Sequence, residues 1–215
     1  SMAADDTGTQ LHQKLAAFLP ENLPITLLAS IRKQEEHQVC DILTRILHKK
    51  TDQVVAVFPR HMHRVNAWKA LLSDRKVNWC LRSEIRHPVH ASQVILWDRF
   101  GELKTAYGFA RVVFVGGSLE KLGGQNFIEP AMAGAITITG PHYDDFSWVG
   151  TGLFSLGCVL KTQDAGQVEQ AVLTALDPHT RFNRQENQRR TKAYVRSLKG
   201  GTDQACNEIL KSFYR

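Results

Sequence analysis

Short apolar runs of strand-forming residues recur along this chain, each followed by a stretch whose apolar residues share one helical face. That alternation limits the fold more than any other feature. Ile25 to Ala29 is strand-like, and Glu35 to Leu47 follows with Val39, Ile42, Leu43, Ile46 and Leu47 in helical phase. Gln53 to Phe58 reads as a strand and Arg64 to Leu72 as a helix, with Val65, Trp68, Leu71 and Leu72 in step. Val77 to Leu81, Val94 to Trp97, Val112 to Val115, Ile136 to Thr139 and Cys158 to Leu160 continue the strand series. Repeated strand-helix-strand units require a mostly parallel sheet covered on both faces. The fold class expected is therefore α/β, a Rossmann-like, doubly wound sheet.

Past Leu160 the pattern is helical: Ala165 to Leu176, then roughly Arg181 to Ser197, and Asp203 to Phe213 after a break at Gly200-Gly201. Near the start, Leu11, Leu15, Phe18 and Leu19 form a small amphipathic helix ended by Pro20. Ser1-Met2 reads as an expression scar, and Ala3 to Thr9 as a mobile polar start. The organisation expected is a tag remnant and amino-terminal helix over 1–20, a Rossmann-like domain over 21–180 and carboxyl-terminal helices over 181–215.

At 215 residues and 43% apolar, the chain can bury a full core. No apolar run reaches the ~20 residues that span a bilayer, so a soluble, cytoplasmic domain is expected. Cys40, Cys80, Cys158 and Cys206 are widely spaced with no C-x-x-C pair, as reduced structural thiols are. The net charge of +6 fits an anionic substrate or a membrane surface. Nucleic acid is not expected, because the aromatics do not interleave with the basic residues as stacking platforms do.

The chemistry concentrates between Phe114 and Phe146. The strand Val112 to Val115 runs into Gly116-Gly117-Ser118, and a second pair, Gly123-Gly124, leads into Asn126 at the head of a short helix. Glycines let backbone approach a ligand, and the open N–H groups of a helix start favour an anion. Glu129, one turn on, can accept hydrogen bonds from vicinal hydroxyls such as those of a ribose. Each glycine pair read alone is an ordinary turn; the whole run is far more specific.

Ligands of open parallel sheets bind beyond the carboxyl ends of the strands, near the topological switch point. Pro59-Arg60-His61 follows one strand, Asp98 to Glu102 another, and the glycine loops a third. His61-x-His63 lacks a nearby third metal ligand, so no metal is expected. G-x-S-x-G, P-loop and G-x-G-x-x-G patterns are absent, which argues against a hydrolase of that type, a P-loop enzyme and a nicotinamide dehydrogenase. No cofactor is expected.

PRH at Pro59 to His61, D-x-x-GEL at Asp98 to Leu103, FVGGSL at Phe114 to Leu119, GGQNFIEP at Gly123 to Pro130 and GPHYDDF at Gly140 to Phe146 stand in a characteristic order. Together they resemble the carboxyl-terminal half of the bacterial 3-deoxy-D-manno-octulosonic acid (Kdo) transferases, over roughly Leu27 to Leu176. The resemblance implies one half of a two-domain GT-B glycosyltransferase, holding the donor CMP-Kdo. Arg60 would then meet the donor phosphate, flanked by Pro59 and His61. The backbone of Gly117, Gly124, Gln125 and Asn126 and the hydroxyl of Ser118 would join it, Glu129 would take the ribose, and Phe100, Gly101 and Glu102 would flank the cytosine.

The resemblance further implies inverting transfer of Kdo to a lipid A precursor at the cytoplasmic face of the inner membrane. The general base and the acceptor site would lie in an amino-terminal half, leaving this chain to bind CMP or CMP-Kdo without turnover. The chain departs from the family at Gln125, where histidine is usual, and at Tyr143-Asp144-Asp145, where Thr-Phe-Asn is usual. It also reads Ser30-Ile31-Arg32-Lys33-Gln34-Glu35-Glu36 against an STHEGEE-like loop. That altered loop leaves open a non-catalytic nucleotide-binding or interaction module, or a GT-B enzyme for another nucleotide sugar.

Overall fold

The computed structural model describes residues 2–213, with side chains described over residues 8–198. The strands are β1 (Ile25–Ile31), β2 (Val54–Pro59), β3 (Trp79–Leu81), β4 (Val94–Leu96), β5 (Val112–Val115), β6 (Ile136–Thr139) and β7 (Val159–Lys161). The helices are α1 (Met2–Ala16), α2 (Glu36–Lys49), α3 (Val65–Asp74), α4 (Leu103–Ala106), α5 (Ile128–Met132), α6 (Gly152–Ser155), α7 (Ala165–Leu176) and α8 (Arg184–Phe213).

The strands form one sheet in the order β3-β4-β2-β1-β5-β6-β7, with every pairing parallel. The chain runs outward from β1 to β3 and β4 on one side, then returns to β5 beside β1 and runs outward again. The β1/β5 boundary is thus the switch point, where a doubly wound sheet opens a crevice at its carboxyl edge.

Strand alternation divides the core into two layers. Leu28 and Ile31, Val55 and Val57, and Val112 and Phe114 meet Ile42, Ile46, Trp68 and Val172 from α2, α3 and α7. Leu27 and Ala29, Ala56 and Phe58, and Val113 and Val115 meet Leu15, Phe127, Leu153 and Val195 on the other face. Each fully buried large side chain contributes roughly 1.5–3 kcal/mol, so burial on both faces stabilises the short strands. No helix among the described residues is long and apolar enough to cross a membrane.

The structure differs from the sequence expectation in three places. α1 begins at Met2, through the stretch expected to be mobile. Once Leu11 and Leu15 are packed, adding turns toward the amino terminus costs little, because helix nucleation is the expensive step. α8 runs unbroken through Gly200 and Gly201, starting at Arg184; a glycine costs an interior helix about 1 kcal/mol, too little to end one this long. The 3₁₀ turn Asp144–Val149 and the short α6 fill the gap before β7 that the periodicity left open.

Cys40 and Cys158 are buried, Cys80 is half-buried and all three are free thiols. Burial pushes the Cys40 thiol up to about 11. The side chain of Cys206 lies outside the described residues.

Candidate functional site

Pro59 ends β2 and Arg60 and His61 follow it, Phe100, Gly101 and Glu102 follow β4, and Gly117, Ser118, Gly124, Gln125 and Asn126 lie between β5 and α5, which contains Glu129. At the switch point Ser30 leaves strand geometry with φ of 57°, and the β1–β2 pairing skips between Leu28 and Ile31. A non-glycine residue in the left-handed region costs on the order of 1–2 kcal/mol. The kink is fixed on both sides: the Gly116 amide donates to Ala29 O at 2.8 Å and the Arg60 amide to Ile31 O at 2.8 Å.

The glycine loop after β5 is anchored by a residue that sequence reading did not single out. Glu35 is fully buried, and its carboxylate accepts the amides of Gly117 at 2.5 Å, Ser118 at 2.9 Å and Leu119 at 2.8 Å. The cradle expected to meet a phosphate directly is thus filled by the protein's own anion, which satisfies three amides that burial would leave costly. No local pattern marks this role, because the amides it binds lie 82, 83 and 84 positions further along the chain. Glu36 closes the same turn from the other side, taking Arg64 Nε at 2.9 Å.

Ser118 is likewise turned inward. Its hydroxyl donates to Val115 O at 2.6 Å and accepts the Gly140 amide at 2.9 Å, while Ser118 O accepts the His142 amide at 3.0 Å. The two glycine-rich segments and the Gly140 loop form one knot. Gly117 (φ 68°) and Gly124 (φ 81°) sit in left-handed conformations, and the Gly124 amide donates to Gly117 O at 2.8 Å. A Cβ on Gly124 would lie 2.9 Å from the Tyr143 backbone, so glycine is required there.

What the knot leaves open lies one step further along. The amides of Gln125 and Asn126 have no acceptor among the described residues. Asn126 Oδ1 caps α5, accepting the Ile128 amide at 3.0 Å and the Glu129 amide at 3.3 Å, and its Nδ2 donates to Glu129 Oε1 at 3.1 Å. The start of α5 is therefore closed by its own side chain, and Glu129 stays exposed with its carboxylate held in place. Gln125 is half-buried over Gly117, its Nε2 donating to Gly124 O.

Across the crevice, Pro59 is buried at the end of β2 and Arg60 and His61 are exposed. The His61 and His63 rings stack with centroids 5.5 Å apart. Desolvation, then the positive charges of Arg60, His63 and Arg32, hold the His61 imidazole below its usual range. No group of three His, Cys, Asp or Glu side chains able to hold a metal forms among the described residues.

Beyond β4, Phe100 is 89% exposed beside Gly101, whose φ is 83°. Glu102 is buried, and its carboxylate is held by Arg82 Nε at 3.0 Å and Trp97 Nε1 at 3.0 Å. Arg82 lies 4.4 Å over the Phe18 ring. Asp98 binds the amide of Ser83 at 2.8 Å, fixing the neighbouring turn. The loop therefore offers an aromatic face at Phe100 on a rigid base, while the Glu102 side chain is internal.

A cavity of about 390 Å³ lies at the other end of the sheet, lined by Ile25, Lys50, Phe109, Arg111, Phe182 and Arg184 among others. Its arginines already bond to carbonyls, Arg111 to Ala175 and Arg184 to Ala133.

No family model matches the chain. It is 31% identical over 174 residues to a 3-deoxy-D-manno-octulosonic acid transferase of Haemophilus influenzae, covering 80% of this chain and 41% of that protein. It is 32% identical over 146 residues to the Bordetella pertussis protein of the same name, covering 66% and 34%. The chain thus spans less than half the length of these curated relatives. Among solved structures it is similar to the C-terminal CMP-Kdo binding domain of WaaA from Acinetobacter baumannii. The TM-score is 0.74 at 30% identity, over 91% of this chain and 99% of that one. A Rickettsia africae glycosyltransferase, 13% identical with a TM-score of 0.59, shares the fold.

Proposed function

This chain belongs to the 3-deoxy-D-manno-octulosonic acid transferase family, as a counterpart of its carboxyl-terminal domain, and from that premise we propose that it is the donor-holding half of such an enzyme. The donor is CMP-Kdo, seated at the β1/β5 switch point, and the reaction is inverting transfer of Kdo with CMP as leaving group. What supports this reading is an exposed arginine, Arg60, just after β2, and two amides without an acceptor among the described residues, Gln125 and Asn126, after β5, on the two strands that flank β1.

As the glycosidic bond breaks, negative charge gathers on the CMP phosphate. A guanidinium that donates in a fork and two fixed amides are preorganised for that charge. The buried Glu35 contributes by holding the glycine loop rigid so that the Gln125 and Asn126 amides stay aimed outward. Phe100 provides a face for the cytosine, and Glu129 accepts the ribose hydroxyls. The lipid A precursor and the base that takes its proton belong to an amino-terminal half, at the cytoplasmic face of the inner membrane in the full-length enzyme.

Calorimetric titration with CMP, CMP-Kdo and UDP-glucose tests the reading. CMP and CMP-Kdo should bind and UDP-glucose should not. Arg60→Ala should weaken CMP about ten-fold or more, the loss of one charge-assisted bond. Binding of UDP-glucose in preference to CMP, or no binding of either cytidine ligand, overturns it.

A further inference from the structure

We propose that Arg32, with Lys33 beside it, forms a second anion subsite next to Arg60, and that it takes the carboxylate of the donor's sugar acid. This inference rests on the donor reading above.

The backbone places the two arginines side by side. Ile31 of β1 pairs in register with Pro59 of β2, and the Arg60 amide donates to Ile31 O at 2.8 Å. Arg32 and Arg60 are therefore the next residues out on neighbouring strand ends, which lie about 4.8 Å apart in a sheet. The charges of both bear on the same imidazole, His61.

Among the described residues these cations form no ion pair with a carboxylate. The two carboxylates closest in sequence are already committed, Glu35 to the glycine-loop amides and Glu36 to Arg64. Among the described residues no Asp or Glu forms an ion pair with Arg32, Lys33 or Arg60, whereas Arg45, Arg64, Arg75, Arg82 and Arg189 all have one. Like charges held together without a neutralising partner repel, and the arrangement is relieved when a ligand brings anions to it.

One phosphodiester supplies one negative charge. An activated 2-keto sugar acid supplies a second, because its carboxylate is borne on the same carbon that carries the phosphate. The two anions of such a donor lie side by side, as Arg32 and Arg60 do. Arg60 takes the phosphate and Arg32 takes the carboxylate, which a guanidinium matches with two parallel N–H groups. The subsite thereby distinguishes a sugar acid from a neutral sugar on the same nucleotide.

The test is calorimetric titration of wild type, Arg32→Ala and Arg32→Lys with CMP and with CMP-Kdo, thermal midpoints reporting that each variant is folded. Arg32→Ala should weaken CMP-Kdo about ten-fold or more while CMP changes by no more than about three-fold, and Arg32→Lys should recover part of the loss. Equal losses on both ligands, or none on CMP-Kdo, overturn the inference while leaving the donor reading standing. Failure of wild type to bind either ligand removes both. Should Arg32→Ala not fold, Arg32→Lys and Lys33→Ala carry the same comparison, with a selective loss on CMP-Kdo again required.

Discussion

The carboxylate of Glu35 accepts the Gly117 amide at 2.5 Å, joining the turn after β1 to the turn after β5 across 82 positions of chain. This bond and its neighbours at Ser118 and Leu119 turn a flexible glycine loop into a fixed platform at the switch point.

Glu35→Ala leaves three amides without their acceptor, those of buried Gly117 and Ser118 and half-buried Leu119. At about 1–3 kcal/mol for each orphaned group, the variant should lose on the order of 3 kcal/mol or more, read from urea unfolding. A loss below about 1 kcal/mol would mean that water replaces the carboxylate and that the platform is not built as described.

Glu169 clamps α7 to α2, accepting Lys49 Nζ at 2.8 Å and Arg45 Nε at 2.5 Å. Hydrogen bonds from Lys49 and then Arg45 hold its carboxyl below the ordinary value of 4.5. A depressed folded-state value means that the stabilisation is complete above the unfolded value and disappears as pH falls through the folded one. Glu169→Gln should cost about 1–2 kcal/mol at neutral pH, since its partners are half-exposed. The gap to wild type should close as pH drops below 4.5; a gap independent of pH would assign the effect to packing.

Much of the fold was legible because the signal was periodic. The apolar runs at Ile25, Val54, Val94, Val112 and Ile136 became strands at nearly the expected bounds. The alternating faces of those runs account for both core layers. What periodicity could not convey was which partners the polar groups would choose. Glu102 reads as a loop carboxylate next to a glycine, yet it turns inward to Arg82, which lies 20 positions earlier. Ser118 reads as an open hydroxyl and instead ties Gly140 to β5. Glu35 reads as the start of a helix. Its role depends on a contact 82 residues away, which no local pattern encodes. The left-handed Ser30 is hidden for the same reason, since the surrounding hydrogen bonds, not its own propensity, hold it there.

Glu129 is exposed, and Asn126 Nδ2 donates to its carboxylate at 3.1 Å. Glu129→Gln keeps the shape but removes charge and an acceptor, and should cost on the order of 1–3 kcal/mol in CMP affinity. A residue that only stabilises the helix start would instead lower stability by about 0.3–1 kcal/mol with affinity unchanged. Comparing CMP with 2′-deoxy-CMP separates the two. A wild-type preference for the ribonucleotide should disappear in the variant, and its survival would refute ribose recognition.

The central claim is where the nucleotide sits, and amide chemical-shift mapping of the ¹⁵N-labelled protein during CMP titration reads that directly. The account predicts saturable shifts at Arg60, Phe100, Gly101, Gln125, Asn126 and Glu129, with Lys50, Arg111 and Phe182 at the far end of the sheet unmoved. Shifts confined to that far end, or none at saturating CMP, would contradict it.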